Sequence, residues 1–178
     1  PDVAAIQDVI VYAARGLALV ALDAEKKGED IMAAGRTCVA ALFSTVTNVN
    51  FDTAPLLAML ARVIAERDAL AQRAGVSLAA PAANFRPAGD EAALLEQAKA
   101  FSTRALAEDE NCNSLAQTLL FGLKGVSAYA DHAAILGKED PALYNAVFKA
   151  LAFGFDGGKP GLNEWVSAVL GCGHANLL

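Results

Sequence analysis

Aromatic side chains, cysteine, histidine and positive charge are all scarce in this chain of 178 residues, and each scarcity excludes something. Only 7% of positions are aromatic, too few for the alternating strands of a sandwich or barrel. The abundance of alanine among the 55% hydrophobic residues favours helices instead. Three cysteines, Cys38, Cys112 and Cys172, are odd in number and far apart. They exclude a disulfide framework and suit buried, reduced thiols in the cytoplasm. Fourteen Lys and Arg against twenty Asp and Glu give a net charge of −6 with no basic stripe, which argues against nucleic acid or an anionic membrane as partner. The most apolar stretch, Val9 to Leu22, is interrupted by Arg15 and reads as a core helix and not a bilayer span. Asp2 and Asp8 stand where a secretory leader would carry basic residues.

What the chain does contain is a repeat. Arg15-Gly16 through Gly28 returns in altered form as Lys124-Gly125 through Gly137 at a constant spacing of 109 residues. The match extends backwards to pair Ile6, Ile10, Val11 and Tyr12 with Leu115, Leu119, Leu120 and Phe121. So long a period is one supersecondary unit used twice and not a solenoid.

Apolar residues at steps of three and four define the units. Ile6, Val9, Ile10, Ala13, Leu17, Val20, Ala21 and Ala24 make a first helix ending near Gly28. A second runs from about Asp30 to Phe43. A third follows Asp52 as N-cap, with Pro55 in its first turn and Leu56, Leu60, Val63 and Leu70 on its stripe. Residues 75–89, with Pro81 and Pro87, read as a linker. Asp90 caps an extra helix carrying Leu94, Leu95, Ala98, Phe101 and Leu106. The second unit repeats the plan, with Asp140-Pro141 opening its middle helix and Trp165 standing 109 residues after Leu56. The expected architecture is all-α: two similar three-helix bundles, residues 1–74 and 112–178, joined over 75–111 by a linker and one extra helix.

No self-sufficient catalytic or metal centre emerges from spacing. Cys172-Gly-His174 is one pair where a metal needs several converging ligands. Asp156-Gly-Gly-Lys-Pro160 lacks the glycine and the hydroxyl residue of a phosphate loop. His132 stands where the first unit has Asp23, which reads as an exposed polar site. Arg15 and Lys124 read as solvated charges, and Gly16 and Gly125 as places of close helix crossing. The polar segment Thr45-Val-Thr47-Asn48-Val-Asn50-Phe51 is the one place where hydroxyls and amides gather. It can aim polar groups at a neighbouring site or serve as an ordinary interhelical loop.

Phe43-Ser-Thr-Val-Thr-Asn-Val-Asn-Phe-Asp52 resembles the Phe-Ser-Thr-Leu-Thr-Asn-Val-Asn-Phe-Asp signature of the hybrid-cluster proteins, the prismane or hydroxylamine reductase family. Ala4-Ala-Ile-Gln-Asp8, Gly122 through Gly137 and Gly173-His-Ala-Asn176 are similar to further family stretches in the same order. The resemblance implies the helical domain of an iron–sulfur oxidoreductase that reduces hydroxylamine to ammonia and water. Such an enzyme carries an iron–sulfur cluster and a hybrid iron–sulfur–oxygen cluster. It further implies that the cluster ligands lie before Pro1 and after Leu178, that none of this chain's residues is a catalytic group or metal ligand, and that Thr45, Thr47, Asn48 and Asn50 stand in a second shell. The implied partners are α/β catalytic domains of the same polypeptide and a redox protein. A free-standing helical module, compatible with a homodimer, and the helical domain of a nickel carbon monoxide dehydrogenase are the alternatives.

Overall fold

The computed structural model describes residues 2–46, 52–154 and 159–178. Among them all regular structure is helical: α1 (Asp2–Lys26), α2 (Met32–Phe43), α3 (Ala54–Ala74), α4 (Glu91–Ala98) with a 3₁₀ turn (Lys99–Phe101), α5 (Glu110–Ile135), α6 (Pro141–Ala152) and α7 (Leu162–Ala175). The all-α reading therefore holds. α6 begins and ends 109 residues after α2.

Local chemistry sets most ends. Gly28, Gly75 and Gly137 take the left-handed conformation that ends helices at φ +82°, +59° and +71°. Asp90, Asp109 and Asp140 accept the Ala93, Cys112 and Ala142 amides at 2.9, 2.9 and 2.7 Å. Two boundaries differ from expectation. Asp30 lies outside α2, bonding the Met32 amide at 2.9 Å. Asp52 sits one residue before the N-cap of α3, which is Thr53, and takes the Ala54 amide at 3.0 Å. The extra helix is also shorter than its apolar pattern: it ends at Ala98, so Leu106 lies beyond it.

The two units interleave. α3 lies along α1 and α7 along α5, but α6 packs more extensively on α1 than on α5, and α2 more on α5 than on α1. One core results, centred on α1, whose Ile6, Val9, Ile10, Ala13, Leu17 and Ala21 are fully buried. By length and composition α1 is apolar enough to cross a bilayer, despite Arg15, yet two thirds of its most apolar window is buried inside the molecule. Apolar over most of its surface and covered on nearly every side, it is the central helix of the bundle.

The linker is a packed element. Ala82, Ala83 and Phe85 are buried, with Phe85 edge-on to Tyr12 and Phe101 at centroid distances of 5.4 and 5.2 Å. Tyr12 stacks on Phe101 at 4.1 Å. Arg67 of α3, fully buried, donates to the Phe85 carbonyl at 2.8 Å and to Asp68 at 2.8 and 3.0 Å. Gly16 is explained here: a Cβ would lie 2.1 Å from the Ala82 carbonyl oxygen. The close approach is thus between helix and linker, not between two helices. Gly125, its counterpart, faces open space among the described residues.

Candidate functional site

The polar segment that the sequence singles out leaves α2 at its C-terminus, and the described part of the site is the anchorage of that exit. The last carbonyls of a helix have no partner within it and carry its negative dipole end. Here the two long helices supply donors. Gln7 of α1 donates its amide to the Ser44 carbonyl at 3.4 Å, and Lys124 of α5 donates its ammonium to the Thr45 carbonyl at 3.3 Å. Thr45, buried, turns its hydroxyl back onto the Leu42 carbonyl at 2.7 Å, and Ser44 does the same to Ala41 at 2.7 Å. The Thr45 hydroxyl is therefore engaged within its own turn. Thr47, Asn48 and Asn50 lie outside the described residues.

Behind this exit lies a charged interior that the sequence reading did not anticipate. Arg15 is buried, not solvated, and Lys124 is half-buried. Burial lowers the Arg15 guanidinium to about 10, against the opposing pull of Tyr12 and Asp8. Burial also lowers the Lys124 ammonium, with Asp8 again opposing. Asp8 therefore neutralises both cations in part. It is held by Thr103, whose hydroxyl donates to it at 2.9 Å and whose amide does so at 3.4 Å. The Lys124 ammonium also lies 5.7 Å from the centre of the Phe121 ring. The missed signal was positional: both cations directly precede a mid-helix glycine and follow a strongly apolar run. A charge placed there is drawn into the core along with its helix.

The histidine reading stands, since His132 is exposed, edge-on to Phe43 at 5.2 Å. The thiols do not make a cluster site. An iron–sulfur centre needs several thiolates converging on one point, whereas Cys38, Cys112 and Cys172 are free, buried and carried on three different helices. Burial pushes the Cys38 thiol up to about 12 and raises that of Cys172; burial and then Asp109 raise that of Cys112. Such thiols keep their protons and are poorly reactive. Among the described residues no three His, Cys, Asp or Glu side chains gather as a metal site. The described residues do not fit a cluster.

A family model, described as the Prismane/CO dehydrogenase family, matches residues 1–178. Among curated proteins, the hydroxylamine reductase of Solidesulfovibrio magneticus is 42% identical over 99% of this chain and 33% of its own length. That of Methanocella arvoryzae is 40% identical over 99% of this chain and 34% of its own, and that of Syntrophobacter fumaroxidans 42% identical over the same shares. The chain spans about a third of the length of the curated relatives it matches.

Proposed function

Because the chain belongs to the Prismane/CO dehydrogenase family, we propose that it is the helical scaffold of an iron–sulfur oxidoreductase of the hydroxylamine reductase type. The parent enzyme reduces hydroxylamine to ammonia and water with two electrons and two protons, in the cytoplasm, supplied by a redox partner protein. Its iron–sulfur and hybrid clusters are bound by polypeptide outside this segment, which is itself inactive and arose from a duplicated three-helix unit. The observation that carries the reading is one of coverage: relatives named hydroxylamine reductase match 99% of this chain with only a third of their own length. The placement of the thiols supports it, since cysteines dispersed over three helices do not converge on one point as cluster ligands must.

The test is ammonia. Full-length protein containing this chain, prepared without oxygen and given hydroxylamine and a low-potential electron donor, is expected to form one ammonia per two electrons. A preparation with a full iron complement that forms none overturns the reading. Within it, residues 45–51 are the scaffold part nearest the clusters, with the Asn48 and Asn50 amides donating hydrogen bonds to sulfur or excluding water. Gln7 and Lys124 support this by fixing the point from which the segment departs. Asn48→Ala and Asn50→Ala in the full-length enzyme should shift the cluster potentials and slow turnover; unchanged values for both would remove the segment from that role.

A further inference from the structure

The two long helices have equal apolar stripes but unequal cover. α1 is buried on nearly every side, and the linker crosses it at Gly16 so closely that no Cβ fits. α5 is open on one side: Phe121 and Tyr129, eight residues apart on one stripe with Gly125 between them, are 67% and 73% exposed. Val166 and Leu170, one turn apart on α7, are exposed too, Leu170 at 70%. The groove between α5 and α7, about 330 Å³, is floored by Gly122, Gly125 and Gly173 and walled by Tyr129 and Val169. Among the described residues, every large hydrophobic side chain that is exposed lies on α5 or α7 or, as Leu136, Leu177 and Leu178, just past their ends, apart from Val46 beyond α2. So lopsided an apolar surface marks a face that another surface covers.

We infer that polypeptide following Leu178 in the parent protein lies in this groove, crossing α5 at Gly125 as the linker crosses α1 at Gly16. Three observations choose this occupant over a second copy or a separate partner. Gly16 and Gly125 are counterparts at the 109-residue spacing, and the segment lying over the first is the stretch that leaves the C-terminus of α3, the counterpart of α7. Carrying Ala82 forward by the same spacing lands on position 191, beyond Leu178, and the relatives run to about three times the length of this chain. Leu177 and Leu178 are exposed, and Leu178 already lines the neighbouring depression together with Tyr129. A covering backbone also accounts for Gly125, because a mid-helix glycine costs about 1 kcal/mol against alanine and nothing in the described structure approaches it.

The inference rests on the reading of the chain as part of a longer enzyme, and its test is read without turnover. The photo-cross-linker p-benzoylphenylalanine is placed at position 129 of the full-length holoenzyme, and the linked peptide is identified by mass spectrometry. A peptide from the stretch directly after Leu178 is expected. A link to another part of the chain or to a second copy, or no link at all, overturns the inference. Gly125→Ala is a second readout: it should raise the melting temperature of the 178-residue chain, where space is open, and lower that of the full-length protein. A rise in both would also overturn it. Ammonia formation by the same preparation reports on the oxidoreductase reading separately, so the failure of one is distinguishable from that of the other.

Discussion

Replacing Gly16 with alanine should destabilise the chain, although alanine is the better helix former. In the middle of α1 the exchange gains about 1 kcal/mol of helix propensity. Against that, the new methyl carbon would stand 2.1 Å from the Ala82 carbonyl oxygen, 2.7 Å from its carbon and 3.2 Å from the Ala83 nitrogen. The first contact is short of ordinary separation by more than 1 Å. The obstacle is backbone and cannot rotate away. Relief requires lifting the linker from α1, where Ala82, Ala83 and Phe85 are buried and the Phe85 carbonyl accepts the buried Arg67 guanidinium. Overpacking of this kind costs about 2 kcal/mol, and weakening a buried charge-assisted hydrogen bond costs about 2 more. The net loss is about 3 kcal/mol, or roughly 6–12 °C for a chain of this size. Urea unfolding followed by circular dichroism measures it, with Gly125→Ala as the matched control that should gain about 1 kcal/mol. If Gly16→Ala proved as stable as the parent chain, the linker would not be seated on α1 and the reasoning would be wrong.

Arg67→Met should cost about 3 kcal/mol in the same assay, because it strands the Phe85 carbonyl and removes the pairing with Asp68; a loss below about 1 kcal/mol would make the buried guanidinium dispensable. Alkaline pH should weaken the fold through Cys38. Its thiol sits at about 12 when folded against an ordinary 9.0, so its contribution is full below pH 9 and is lost as pH rises towards 12, at no more than about 1.4 kcal/mol per pH unit. Cys38→Ala should flatten the slope of stability between pH 9 and 10.5, and parallel slopes for the two proteins would contradict the assignment. Asp140→Ala should cost about 1 kcal/mol by leaving the Ala142 amide without its cap, with hydrogen exchange quickening first at the start of α6.

Local chemistry decided a great deal of this molecule. Stripes at steps of three and four, aspartates before apolar runs and glycines after them place seven helices, since those signals act within a turn or two of backbone. The polar segment from Thr45 onwards was also legible, because hydroxyls and amides crowded between two helices stand out in any apolar chain. The family, too, could be read from it. What local chemistry could not decide is which surfaces meet. A 109-residue repeat suggests two bundles side by side, yet α6 lies on α1 and α2 on α5, because long-range packing follows complementary shape, which periodicity does not encode. Proline and missing periodicity mark residues 75–89 as a linker with no hint that its backbone presses onto Gly16. Arg15 and Lys124 look like surface charges in the sequence. Only the tertiary structure shows Arg15 inside and Lys124 half-buried, since a charge is buried when its helix is covered on that side, and the cover comes from residues remote along the chain.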